Sequence, residues 1–118
     1  MKYTELIKNI VKALDEKKAE DIKIVETAEL TIVADSFIIA SGTSSTHVRA
    51  LAGEVEDAIS KLGTEPEHVE GRATGWILLD YGCVLVHIFT GESRDYYNLE
   101  RLWSDARDLD ISDIITEN

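Results

Sequence analysis

Cysteine and proline each occur only once in this chain of 118 residues. The lone Cys83 cannot form an internal disulfide, which excludes a disulfide-stapled secreted scaffold and favours a reducing cytosol. No apolar run approaches the roughly 20 residues that a membrane-spanning helix needs. The chain also has no internal repeat, low-complexity tract or linker, and its length suits one domain. These scarcities together predict a single globular domain over residues 1–118.

Positive charge is also scarce, with 12 Lys and Arg against 23 Asp and Glu and a formal net charge of −11. Nucleic-acid binding depends on Lys and Arg that neutralise phosphates, so this composition argues against direct RNA binding. The same field attracts a basic protein partner and speeds its association at low salt. The alternative is that the acidic surface only keeps the protein soluble.

The patterning of apolar residues predicts an α/β domain with a mixed sheet of about five strands and three helices. The N-terminal residues Met1–Leu6 lack the features of a signal or transit peptide, so we expect a cytoplasmic protein. Residues 104–118 form an acidic C-terminal tail that either packs back as a short helix or stays mobile. The predicted helices are Thr4–Lys17, Thr46–Leu62 and Glu92–Trp103, and the core-facing apolar stripe of the second helix includes Leu62. The extended segments are Asp21–Glu26, Phe37–Ala40, Pro66–Val69 and the two arms of a hairpin.

The hairpin is the most informative segment, because two apolar arms flank the break Asp80-Tyr81-Gly82. A two-residue loop at Tyr81–Gly82 is the favoured interpretation, while a three-residue loop ending at Gly82 pairs Trp76 with Val86. Side-chain alternation with the first loop collects only aliphatic residues on one face: Ile77, Leu79, Val84 and Val86. The opposite face carries Trp76, Leu78, Asp80, Cys83, Leu85 and His87.

A carboxylate and an imidazole beside Trp76 and Leu78 suit neither an ordinary core nor an ordinary solvated face. Apolar surface rimmed by polar groups often marks a binding site. We therefore favour a partner-binding surface around Trp76 over a covered core. A homodimer that buries this surface is another possibility. A cluster of Tyr96, Tyr97 and Trp103 is another candidate for a partner contact, but aromatic residues at helical spacing are more often core, and we favour a core position for Tyr96 and Leu99.

Several motifs in order resemble the ribosomal silencing factor family, also called Iojap or RsfS proteins. They cover positions 4 to 103: Asp35-Ser36-Phe37-Ile38-Ile39-Ala40-Ser41-Gly42-Thr43-Ser44-Ser45-Thr46-His47-Val48-Arg49, Val69-Glu70-Gly71, Gly75-Trp76-Ile77-Leu78-Leu79-Asp80-Tyr81-Gly82, Val86-His87-Ile88-Phe89 and the segment Glu92 to Trp103. One position departs from the family pattern, since Cys83 stands where the family usually carries Asp.

The resemblance implies a single silencing-factor domain with nucleotidyltransferase-like topology and no enzymatic activity, cofactor or metal. It also implies binding to the large ribosomal subunit through large-subunit ribosomal protein fourteen. The bound factor blocks association with the small subunit and represses translation when nutrients are scarce. The partner-binding residues implied by the match are Trp76, Leu78, Asp80, Tyr81 and Glu70. Organellar relatives need a leader peptide, so its absence points to a bacterial cytoplasmic protein.

The implied topology makes a nucleotidyltransferase-like enzyme using the Gly42–Ser45 turn the alternative to test. Such enzymes follow this turn with two carboxylates that share Mg²⁺. Glu54 and Glu56 have about the right distance along the chain, but two residues apart on a helix they point to different sides. The turn itself either holds a phosphate at the helix N-terminus or caps the helix through Ser44 or Ser45, and we favour the cap.

Two further kinds of site, a metal site and a thiol nucleophile, would involve Cys83 and the histidines. A metal site that includes Cys83 and His87 is weak, because we expect these residues about 13 Å apart on an extended strand. His87 is better interpreted as a strand residue hydrogen-bonded to a neighbour. A Cys83 nucleophile with His47 or His68 as its base has no supporting spacing.

Overall fold

The fold is an α/β domain in which one mixed sheet carries the two described helices on one side. The computed structural model describes residues 3–26, 36–71, 76–91 and 107–108. Their helices are α1 (Tyr3–Glu16) and α2 (Ser45–Ser60), and their strands are β1 (Glu20–Glu26), β2 (Ser36–Gly42), β3 (His68–Glu70), β4 (Trp76–Asp80), β5 (Val84–Thr90) and β6 (Arg107–Asp108).

The sheet has the strand order β3-β4-β5-β2-β1-β6, and only β2 and β5 run parallel among these neighbours. β2 lies inside the sheet, and all seven of its residues are buried. This matches its continuous apolar sequence, which is typical of a strand covered on both faces. The predicted mixed sheet of about five strands is therefore confirmed, with the two-residue β6 added at one edge.

α1 is amphipathic and turns one stripe toward the sheet, as its periodicity predicts. The buried members of the stripe are Leu6, Ile7, Ile10, Val11, Ala13 and Leu14. The helix spans almost the predicted residues, so this prediction is confirmed.

α2 begins at a serine cap and ends earlier than predicted. Ser44 has an extended backbone and its side chain accepts a hydrogen bond from the His47 N–H at 3.1 Å. The C-cap is Lys61, and Gly63 adopts a φ of +89° just beyond it. The helix therefore stops before Leu62, whose side chain is 50% exposed. The prediction that Leu62 belongs to the buried stripe is wrong because the chain reverses there.

The two faces of the sheet belong to different clusters. On the helix side, α1 and α2 pack against Ile24, Ile38, Ala40, Ile77, Leu79, Val84, Val86 and Ile88. On the other side, the described members of a smaller cluster all lie on strands: Val25, Phe37, Ile39, Leu85 and Phe89, with Trp76 and Leu78 partly buried against it. This second face contains the residues that the sequence predicts as a binding surface.

Two predictions concern residues mostly outside those described. The third helix, Glu92–Trp103, lies outside them, as does the tail 104–118 except for Arg107–Asp108. These two residues pair with β1, opposite Glu26 and Val25 respectively. The nucleotidyltransferase-like topology stays a prediction. Within the described part of the chain, no helix combines the length and apolarity needed to span a membrane.

Candidate functional site

The hairpin between β4 and β5 turns at Gly82–Cys83, one residue beyond the predicted loop. Trp76 lies opposite Phe89, and the Tyr81 N–H donates to the Val84 carbonyl at 2.9 Å. Gly82 has a φ of +85°, and a two-residue hairpin loop favours glycine where φ is positive. Both registers considered from the sequence are therefore wrong, and Cys83 lies in the loop instead of on the strand.

The predicted separation of side chains into two faces is nevertheless confirmed. The observed pairing differs from the favoured one by two residues, which keeps the strand side chains on their predicted faces. Cys83 is the exception, because it was predicted beside Trp76 and packs against the helix-side cluster instead. Ile77 lies opposite Ile88 and Leu79 opposite Val86, and all four side chains are fully buried on the helix side. Trp76 and Leu78 lie on the other face and are half-buried.

The pairing of β3 with β4 brings acidic residues beside this second face. Glu70 is directly opposite Leu78, and His68 is directly opposite Asp80. Directly opposite residues of an antiparallel pair share a face. Trp76, Leu78, Asp80 and Glu70 therefore form one continuous surface, which we call the β4 surface.

Asp80 has a structural task as well as a place on the β4 surface. One of its carboxylate oxygens accepts a hydrogen bond from the Gly82 N–H at 2.8 Å and so holds the loop. A carboxylate has two oxygens and about four lone-pair sites, so this bond leaves acceptor capacity for a cation. The half-buried position of Asp80 is compatible with such a contact.

Tyr81 is separated from the other predicted binding residues. Its ring belongs to the helix-side cluster and is only 8% exposed. Burial raises the pKa of the Tyr81 hydroxyl, and the charges of Glu56 and Glu65 raise it further. The phenol therefore stays neutral, and the structure does not bring it together with Trp76.

An aromatic cluster surrounds His87 next to the β4 surface. The Trp76 ring stacks on Phe89 with centroids 5.1 Å apart, and the Phe37 ring lies 4.8 Å from the imidazole. The Trp76 indole Nε1–H donates to His87 Nδ1 at 3.2 Å. This confirms the prediction that His87 is hydrogen-bonded to a neighbour.

His87 is buried among these apolar rings, and burial lowers its pKa to about 4. Desolvation disfavours the charged imidazolium, which explains the direction. At neutral pH the ring is uncharged, so Nδ1 is able to accept the indole hydrogen bond.

Hydrogen bonds through His47 link the Gly42–Ser45 turn to the end of α1. The Thr43 N–H donates to His47 Nδ1 at 2.8 Å, and His47 Nε2 lies 2.7 Å from the Lys17 carbonyl just after α1. Because Nδ1 accepts, Nε2 carries the hydrogen and donates it. A Cβ at Gly42 would come within 3.0 Å of Val48, so glycine permits this close approach. These contacts and the Ser44 cap confirm the capping interpretation, and His47 was missed because no sequence pattern identifies such a link.

The described residues do not bring together the groups needed for a catalytic metal. Glu54 and Glu56 both lie within α2, as expected from their helical pattern. No group of three or more His, Cys, Asp or Glu suited to a metal ion occurs in the described ranges. Cys83 and His87 are on a loop and a strand respectively, and His87 Nδ1 is used by Trp76.

Comparison with known proteins identifies the family. A family model described as "Ribosomal silencing factor during starvation" matches residues 1–118. The ribosomal silencing factor of Bacillus subtilis is 40% identical over 114 residues, which are 94% of this chain and 97% of that protein. That of Halalkalibacterium halodurans is 37% identical over 117 residues, 98% of this chain and 100% of that protein.

A solved structure agrees with this result. The crystal structure of a Chromobacterium violaceum protein superposes with a TM-score of 0.85 at 35% identity and covers 88% of each chain. The fold and the sequence thus match over nearly the same residues. Since the family model spans the whole chain and both relatives match almost end to end, the chain belongs to the ribosomal silencing factor family, whose members are non-enzymatic, ribosome-binding regulators.

Proposed function

We propose that this protein binds the large ribosomal subunit through large-subunit ribosomal protein fourteen and blocks docking of the small subunit. Occlusion of the joining face lowers translation when nutrients are scarce, without a cofactor or nucleotide. Its place of action is the bacterial cytoplasm. Family membership supports the ribosome as target, and the β4 surface supports a protein as the direct partner.

The observation that carries the proposal is the composition of the β4 surface. Trp76 and Leu78 are half-buried, so each keeps apolar area that a partner can cover. Tryptophan is enriched among the residues that dominate binding energy at the centre of interfaces. The larger of the two core clusters lies on the opposite face, so the exposed part of Trp76 and Leu78 is not needed to pack the helices on the sheet.

The acidic residues at the edge of the surface favour a basic partner. Glu70 is exposed beside Leu78, and Asp80 is half-buried at the end of the same strand. Carboxylates form their strongest and most directional hydrogen bonds with arginine. Together with a net charge of −11, this arrangement favours a basic protein and disfavours contact with RNA phosphates.

Tyr81 has a different part in the proposal. Its burial on the helix side makes it a support for the end of the hairpin. We therefore assign contact with the partner to Trp76, Leu78, Asp80 and Glu70, and assign Tyr81 to holding β4 in place.

Cosedimentation with purified large subunits tests the proposed surface. We expect Trp76→Ala to weaken binding by about 2–4 kcal/mol, the range for a central aromatic residue. The variant should remain folded because the helix-side cluster is untouched. Leu62→Ala is the matched control, since this exposed apolar residue follows α2, the helix that packs on the opposite face of the sheet.

Equal binding of Trp76→Ala and wild type would contradict the surface assignment. Equal losses for Trp76→Ala and Leu62→Ala would also contradict it. Binding should persist with isolated protein fourteen in the absence of RNA. If the protein instead forms a dimer whose dissociation is needed before ribosome binding, Trp76→Ala should weaken the dimer as well.

The assembly of intact ribosomes from separated subunits tests whether the bound protein blocks subunit joining. We expect the protein to suppress formation of intact ribosomes, with inhibition that follows occupancy and saturates at one factor per large subunit. Preformed intact ribosomes should resist, because the small subunit covers the site. Sucrose-gradient profiles measure both outcomes. Equal inhibition of preformed ribosomes, or a requirement for ATP or GTP, would contradict occlusion.

A further inference from the structure

His87 is an unusual residue to find beside a binding surface. It is 5% exposed, and it lies in β5 directly opposite Leu78 of the β4 surface. Its closest ring neighbours are Phe37 and Trp76, with centroids 4.8 and 5.8 Å away. The imidazole thus forms the polar centre of an otherwise aromatic cluster.

The hydrogen bond to Trp76 fixes the tautomer of His87. Since Nδ1 accepts the indole N–H, the ring hydrogen of the neutral imidazole is on Nε2. Nε2 is buried and has no hydrogen-bond partner in the part of the chain that the structure describes. An unpaired buried donor destabilises a fold, so an apolar side chain would serve stability better at this position. The benefit of histidine must therefore come from the bond made by Nδ1.

That bond acts on the orientation of Trp76. Stacking on Phe89, at an interplanar angle of 23°, restricts the plane of the indole. Stacking alone permits the ring to slide or turn over, whereas a directional N–H bond selects which edge lies inward. Both contacts restrict which edge of Trp76 remains toward solvent.

We infer that His87 is a positioning residue that holds the Trp76 indole in its binding orientation before the partner arrives. This inference rests on the proposed function of the β4 surface. Fixing a side chain in advance reduces the entropy that association must remove, which is about 0.5–1.5 kcal/mol for one immobilised side chain. Loss of His87 should therefore weaken partner binding about three- to tenfold, although His87 does not contact the partner.

A pair of similarly shaped substitutions separates the acceptor from the volume of the side chain. His87→Asn keeps a hydrogen-bond acceptor near the position of Nδ1, and His87→Leu has nearly the same shape without it. We expect His87→Leu to bind isolated protein fourteen three- to tenfold more weakly than wild type, and His87→Asn to recover most of the loss. The melting temperature of His87→Leu should stay close to that of wild type, because the unpaired Nε2 donor is gone while the indole N–H loses its acceptor.

The state of the free protein is measured independently by nuclear magnetic resonance of the Trp76 indole N–H. The chain has two tryptophans, so Trp103→Phe serves to assign the signal. In His87→Leu, hydrogen exchange of the indole should accelerate and its chemical shift should move, while His87→Asn should stay close to wild type. This readout needs no ribosomal partner. Failure of wild type to bind protein fourteen would therefore count against the proposed function without affecting the indole result.

The inference is overturned if the indole signal of His87→Leu matches that of wild type. It is also overturned if His87→Asn and His87→Leu lose binding equally, since volume alone would then explain the effect. A lowered melting temperature in His87→Leu, together with unchanged binding, would assign His87 a purely structural role.

Discussion

The two faces of the sheet use the same strands for different purposes. On the helix side, β4 contributes Ile77 and Leu79, both fully buried under the amphipathic helices. On the other side, the same strand contributes Trp76 and Leu78, which are half-buried beside aromatic rings and an imidazole. Aliphatic side chains supply close packing, whereas aromatic and polar groups supply directional contacts. Under the proposed function, the alternation of a single strand separates stability on one face from recognition on the other.

The strongest way to challenge this separation is to truncate neighbouring leucines of β4. Leu79→Ala should lower the free energy of unfolding by about 2–5 kcal/mol, because it leaves a cavity under the helices. At temperatures where the variant is folded, its binding to large subunits should be unchanged. Leu78→Ala is the matched control on the other face, with a small loss of stability and a clear loss of binding. Chemical denaturation and cosedimentation measure both quantities, and similar profiles for the two variants would contradict the separation.

The pH dependence of stability tests whether His87 belongs to an apolar environment. Its pKa is lowered from 6.5 to about 4, so between these values the unfolded chain binds a proton that the folded protein does not. The free energy of unfolding therefore falls as the pH drops below 6.5, because protonation of His87 favours the unfolded chain. The effect of His87 is absent above pH 6.5 and stops growing below about pH 4. The difference between the two pKa values corresponds to about 3 kcal/mol in the free energy of unfolding.

Comparison of wild type with His87→Leu isolates this effect from the titration of carboxylates. Denaturation at pH 7 and pH 4 should show a larger loss in wild type than in the variant. Identical losses would mean that the imidazole is protonated in the folded protein, which contradicts its placement among Phe37, Trp76 and Phe89.

The hairpin loop connects β4 with β5, and substitutions at two glycines test its geometry. Gly82→Ala should destabilise the protein by about 1–2 kcal/mol, because alanine is strained at positive φ. A Cβ at this position would also lie 3.3 Å from a Glu67 carboxylate oxygen. Gly53→Ala is the control with the opposite sign, since this exposed glycine within α2 has open space around it. The control should gain about 0.5–1 kcal/mol in thermal or chemical denaturation. A stabilising effect of Gly82→Ala would contradict the observed turn.

The smallest expected effect concerns the charges at the rim of the β4 surface. Glu70→Gln should slow association with the partner a few-fold at low salt, with little change in dissociation. The difference should shrink as salt approaches physiological strength, where the Debye length is about 8 Å. Glu16→Gln, at the exposed end of α1, is the matched control and should have a weaker effect. Salt-independent association rates would argue against a basic partner.

Much of the fold is predictable because its signals are local. The helical periodicity of Leu6 to Leu14 predicts α1, and the continuous apolar run Phe37–Ala40 predicts a strand buried on both sides. Leu62 continues the periodicity of α2 and was wrongly predicted as buried. Periodicity does not report where a chain turns away, and that depended on the cap at Lys61 and the positive φ of Gly63.

Part of the candidate site was also predictable from the sequence, and part was not. Alternation assigns Trp76, Leu78 and Asp80 to one face whichever loop is chosen, because they lie two residues apart on one strand. The burial of Tyr81 with the helices was missed because the predicted loop included Tyr81, whereas the observed pairing extends to Tyr81 and places it on the face of Ile77 and Leu79. The His47 link between the helices was also invisible, since Lys17 lies 30 residues away in sequence.

The sequence by itself determined the family, the acidic character and the two-faced pattern of the hairpin, because motifs, charge and alternation are properties of order along the chain. Tertiary structure decided the loop register, the neighbours of Glu70 and the contact between Trp76 and His87. These depend on how separate segments meet: the φ of Gly82 aligns β4 with β5, and the pairing of β3 places Glu70 opposite Leu78. A hydrogen bond such as the one from Trp76 to His87 requires its two atoms to lie within about 3.2 Å, and the packing of the strands sets that distance.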